Sequence, residues 1–142
     1  MNRQLARSLY ATSALVGASG LALGWCVYFA LPTDPDTLVH PWQPALQHAH
    51  VLAAPASTLA LGAAWIAHAW PKWRAGEPPG RRSGAALVAL GVAMIASGYL
   101  LQIAESLEAR RAWSFAHSAC SIAWLAALAL HALRMRAAQA PS

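Results

Sequence analysis

The chain has 142 residues, a formal net charge of +5, 58% hydrophobic residues and only 11% charged ones. A soluble domain carries about 25% charged residues, so that class is excluded, and the length suits one domain. Cys26 and Cys120 form no CxxC or CxxCH pattern, which excludes a paired-thiol relay and covalent haem attachment and leaves both as small packing residues.

Charged side chains leave four gaps, over residues 8–33, 37–71, 83–104 and 112–133. Each exceeds the roughly 20 residues that a helix needs to cross about 30 Å of hydrocarbon. The expected fold is therefore an all-α membrane protein, a single domain over residues 1–142 with four transmembrane helices in an up-down bundle. The spans are expected near residues 9–31, 45–70, 84–104 and 112–133. Arg3, Arg7, Lys72, Arg74, Arg81, Arg82, Arg134 and Arg136 fall in the N-terminus, the middle loop and the C-terminus. The other two loops hold Asp34, Asp36, Glu105 and Glu108 against Arg110 and Arg111. The positive-inside rule then puts both termini in the cytoplasm, as in a multi-pass protein of a bacterial inner membrane. Charge that follows a membrane in this way implies membrane lipid as a partner and no nucleic acid.

The first span follows Arg3 and Arg7, but its apolar core is longer than the roughly 7–15 residues of a signal sequence, so cleavage near Tyr28-Phe29-Ala30 is not expected. Gly17, Gly20 and Gly24 give it small residues where a neighbouring helix or a flat ring could approach, helix packing being the simpler use. Residues 32–44 are rich in proline and read as a loop, with His40 and Trp42 at the membrane interface. In the second span Pro44 suits a first turn, Pro55 should kink the helix, and Trp65, Trp70, Trp73 and Lys72 mark the opposite interface. The basic loop after it suits lipid headgroups, and less commonly the propionates of a haem. The third span carries Gly84, Gly91 and Gly98 at seven-residue spacing, a smooth stripe that could seat a helix or a porphyrin face. Tyr99, Gln102 and Glu105 follow, and the fourth span lies between Arg110-Arg111 and Arg134.

The six histidines carry the chemistry. His50 and His68 are 18 residues apart, five turns of an ideal α-helix, and His117 and His131 are 14 apart, about 40° short of whole turns. Each pair shares a helix face, whereas His48 falls on roughly the opposite side from His68. Depth then pairs His50 with His117 near the outer face and His68 with His131 near the inner face. Neutral imidazole is a good axial ligand of haem iron, and polar groups inside spans usually mark function. An ordinary interfacial role fits His40 and His48 better. The rise of the two helices between their histidines differs, roughly 27 Å against 21 Å, so a single haem held by one pair is the fallback.

Histidine pairs on the second and fourth spans, with glycines on the first and third, resemble the four-helix haem core of membrane cytochromes b. The spacing of His117 and His131 is similar to that of the core histidines of quinol:cytochrome c reductases, and Gly84 and Gly98 resemble the glycines that seat porphyrins there. The interval from His50 to His68 departs from that pattern, and the Pro-Glu-Trp-Tyr-type quinol motif is absent. The chain looks closer to small di-haem b subunits of membrane oxidoreductases. The resemblance implies two haem b groups on His50, His117, His68 and His131, with Gly84 and Gly98 beside them. It implies electron transfer between the quinone pool and an oxidoreductase or cytochrome c-type partner subunit, as a subunit rather than a stand-alone enzyme. Arg110, Arg111, Lys72, Arg81 and Arg82 are then candidate propionate partners, and His40, Tyr99, Gln102 and Glu105 candidate neighbours of a quinone. A non-redox membrane anchor is the rival reading. A cation carrier would want intramembrane carboxylates, which the four spans lack, and no nucleophile-base arrangement suggests a hydrolase.

Overall fold

The computed structural model describes residues 2–30, 32, 36–77 and 80–137, the side chain of Arg136 excepted. Leu31, Asp34 and parts of the two long loops lie outside the described residues. Four helices dominate: α1 (Arg3–Tyr28), α2 (Gln43–Arg74), α3 (Arg81–Ile103) and α4 (Leu107–Ala137). All four are long and apolar enough to cross a membrane.

The helices outrun the charge-free gaps at most ends. Backbone hydrogen bonding continues into turns bearing Arg3, Arg7, Lys72, Arg74, Glu108 and Arg134, because solvated charges are compatible with a helix end. Local caps set several of these limits. Asn2 Oδ1 accepts from Leu5 N–H at 2.7 Å at the start of α1. Pro44 stands in the first turn of α2. Ser106 Oγ accepts from Ala109 N–H at 3.1 Å ahead of α4, and Arg110 Nη2 donates to Ala104 O at 3.3 Å behind α3. Arg110 thus closes a helix end.

Helix α2 is not uniformly α. It runs as α from Gln43 to Ala64, as a π turn over Trp65–Ala69, and as α again over Trp70–Arg74. Pro55 lies inside the first of these segments. The π turn holds one residue more than an α turn. Counting 3.6 residues per turn from His50 to His68 therefore overstates the rotation, and His68 stands off the His50 face by part of a turn.

The chain divides into two compact units, residues 1–68 and 69–142. In the first, α2 lies against α1, with His40 near Cys26 and His50 near Ser19, an order that makes the two antiparallel. Its buried positions are Leu9, Ser13, Cys26, Ser57 and Ala60. Small residues let the helix backbones approach, as association between apolar helices requires. In the second unit the connection of residues 104–106 turns α4 straight back along α3, burying Gly91, Ser97 and Trp124. Large apolar side chains face outward instead, among them Leu52 (80% exposed), Ile66 (71%) and Val92 (63%). In water such surface would aggregate; against hydrocarbon it costs nothing.

Candidate functional site

In the second unit Gly98 and Gly91 on α3 and Gly80 just ahead of it meet a stripe of rings on α4, His117, Trp124 and His131, at seven-residue spacing. His117 Nδ1 is 2.9 Å from Met94 O, and Trp124 Nε1 donates to Leu87 O at 3.1 Å. His131 Nδ1 is 2.8 Å from Ser83 Oγ, which itself donates to Gly80 O at 3.1 Å. The two carbonyls that accept from rings, those of Met94 and Leu87, precede Gly98 and Gly91 by four residues. In a helix, Cβ leans toward the N-terminus, over the carbonyl one turn back. A glycine leaves that carbonyl uncovered, so its second lone pair can accept from a ring on the neighbouring helix. Gly80, at φ +76°, starts α3 in a left-handed conformation that suits glycine and sits close to His131 and Met135.

The first unit repeats the device once. His50 Nδ1 is 3.1 Å from both Val16 O and Ser19 Oγ, and Gly20 follows Val16 by four residues. A Cβ on Gly20 would stand 2.8 Å from the His50 ring, and one on Gly98 would stand 3.1 Å from the His117 ring. These two glycines are notches for imidazoles. Gly84, expected to stand beside a porphyrin, has open space where a Cβ would go, and its N–H bonds Gly80 O at 2.7 Å.

These bonds fix the imidazole tautomer. Ser19, Ser97 and Ser83 each donate their single hydroxyl proton to the carbonyl three residues back, at 3.0–3.1 Å. The carbonyls of Val16 and Met94 can only accept, so Nδ1 carries the proton in His50 and His117 and Nε2 carries the lone pair. His131 Nδ1 meets the Ser83 hydroxyl alone. A histidine that binds iron through Nε2 commonly donates Nδ1–H to just such an acceptor, which holds the ring and raises its basicity. The donor set of His50 and His117 fits axial ligation of a haem. His40 is the counter-example: its Nδ1 accepts from Trp42 N–H at 3.3 Å and lies 3.7 Å from Cys26 Sγ, a loop-closing role.

His48 is exposed, about 200° around the helix from the face that His50 presents to α1. His68 is half-buried in the π turn. Among the described residues no three of His, Cys, Asp and Glu converge as a bare metal ion would need; a porphyrin supplies its own equatorial nitrogens and asks the protein only for axial ligands. Of the basic candidates, Lys72 pairs with Glu77 at 2.7 Å and the Arg81 guanidinium lies 4.8 Å from the Trp73 ring centre. Gln102 Nε2 donates to Gly98 O at 3.4 Å, and Tyr99 and Glu105 are exposed.

No family model, curated protein or solved structure matches this chain. The site therefore stands on its own geometry. Sequence reasoning passed over Ser19, Ser83, Ser97 and Trp124. The signal was present in three Ser-Gly dipeptides, at 19–20, 83–84 and 97–98, each served by a histidine of the following long helix.

Proposed function

We propose that the chain is a membrane-embedded b-type cytochrome subunit, passing electrons between the quinone pool and a partner redox subunit through two bis-histidine haem b groups. His50 and His117 ligate the haem toward the outer face, and His68 and His131 the one toward the cytoplasm. The four spans run up and down through a bacterial inner membrane with both termini cytoplasmic, consistent with the basic middle loop and C-terminus.

The observation that carries this reading is the common Nδ1–H tautomer of His50 and His117, each held by a serine and a helix carbonyl, with His131 held by Ser83. When bound, haem supplies one-electron transfer. The chain's residues present Nε2 lone pairs, lock the rings against rotation and hold a dielectric from which water is excluded. The support is stronger for the first pair, both of whose rings are held in this way.

Oxidised and reduced visible spectra of the purified protein, with haem quantitation as the pyridine complex, test the proposal. The expected result is about two low-spin b haems per chain, falling to about one in His50→Ala or His117→Ala and in His68→Ala or His131→Ala. His48→Ala should keep both. Absence of haem from protein made in a haem-replete host would sink the proposal.

One observation favours a second reading, a non-redox anchor or assembly subunit. Trp124 makes the same ring-to-carbonyl bond as His117 between the same helices, and an indole is no iron ligand. The ladder therefore has value in packing alone. In that case His117→Gln would weaken the fold without changing any visible absorbance.

A further inference from the structure

At the arginine end of the second unit, α3 and α4 leave a groove of about 300 Å³ lined by Arg82, Ser83, Ala86, Ala127, Leu130 and Arg134. Its polar and apolar walls are sorted. Arg82 and Arg134 are exposed, and neither forms an ion pair with an acidic side chain among the described residues. The nearest acidic residue in sequence, Glu77, is taken by Lys72. Ser83 is engaged by His131 and Gly80, so the two guanidinium groups are what the groove offers to a ligand. Ala86, Ala127 and Leu130 continue it toward the middle of the helices, and an apolar floor of small side chains suits a methylene chain. Trp73 lies under Arg81, one residue from Arg82, and tryptophan marks the level at which headgroups meet hydrocarbon.

We propose that this groove binds one anionic phospholipid, its phosphate held between Arg82 and Arg134 and one acyl chain lying along Ala86, Ala127 and Leu130. Guanidinium forks match phosphate oxygens, and a basic recess between helices at the interface selects anionic over zwitterionic headgroups. A haem propionate would need only the charges; the apolar length of the groove favours a lipid. The proposal does not depend on the electron-transfer reading.

The test is native mass spectrometry of the full chain in neutral detergent, titrated with phosphatidylglycerol and, separately, phosphatidylcholine. Phosphatidylglycerol should bind in a one-to-one complex and more tightly. Arg82→Gln and Arg134→Gln should each weaken it about fivefold, while phosphatidylcholine is unaffected. Ala127→Phe, which fills the apolar part and keeps both arginines, should weaken both lipids. Arg7→Gln, on α1, controls for net charge and should leave the binding of both lipids unchanged. Equal affinity for the two lipids would overturn the proposal, as would a preference that survives both arginine substitutions. Displacement by equimolar inorganic phosphate would also overturn it, since a phosphate site has no use for the floor. Haem content read on the same samples separates a damaged cofactor site from a lost lipid site.

Discussion

At the scale of single residues, the glycines differ in what a methyl group would meet. Gly20→Ala and Gly98→Ala drive a Cβ into an imidazole, at 2.8 and 3.1 Å from Cε1, and the ring must leave its carbonyl. Gly91→Ala crowds Trp124 Nε1 at 3.3 Å, while Gly84→Ala meets nothing within 4 Å. The expected order of damage, read as thermal stability in detergent, is Gly20 first, then Gly98, then Gly91, with Gly84→Ala close to wild type. Ser13 is a different case, since its buried hydroxyl has no hydrogen-bond partner among the described residues. Ser13→Ala should raise stability by about 1 kcal/mol, because an unsatisfied buried hydroxyl costs on the order of 1–3 kcal/mol. The histidines and the glycine stripe were legible in the sequence because polar and small residues stand out in apolar spans. What each glycine faces was not, since one stripe serves a ring, an indole or a porphyrin equally well until its register with α4 is known.

At the scale of elements, the charge-free gaps located all four helices, since few residue types escape hydration inside a span. Their ends were less legible, because caps such as Asn2 and Ser106 act through single hydrogen bonds that composition does not reveal. The π turn of α2 was illegible: Trp65–Ala69 contains no proline or glycine, and Pro55, the visible irregularity, lies in the α segment before it. Deleting Ala67 should close this turn to α geometry, and because the residue lost and the widening lost nearly cancel, His68 should keep its direction. If His68 is a ligand, haem should stay at about two per chain, whereas an alanine inserted between Ala63 and Ala64 should swing His68 by roughly 100° and bring haem to about one. Trp124→Phe tests the ladder apart from any cofactor. Loss of the indole N–H to Leu87 O should cost about 1 kcal/mol in thermal stability and leave haem content unchanged.

At the scale of the whole molecule, the charge asymmetry makes a topological prediction. Reporter fusions after residue 137 and within residues 75–77 should be active only for a cytoplasmic reporter, and a fusion within residues 36–41 only for an exported one. The reverse pattern would invert which side each histidine faces and leave the ring geometry of each unit untouched. That the chain forms four helices long and apolar enough to cross a membrane was legible at this scale from composition and charge spacing.

The alternation along α3 and α4 has a consequence for how that pair finds its alignment. A glycine stripe repeating every seven residues would, alone, accept a slip of seven, setting His117 against Gly91 and Trp124 against Gly84. The serines repeat at double that interval: Ser83 and Ser97 flank Leu90, as His131 and His117 flank Trp124. A seven-residue slip would set His117 beside Leu90, with no hydroxyl to take its proton. The coarse and fine repeats together act as a vernier, and the next coincidence lies 14 residues away, about 21 Å along the helix. In the first unit the described Ser-Gly contact occurs once, at His50, so that hairpin relies more on its loop to settle into register.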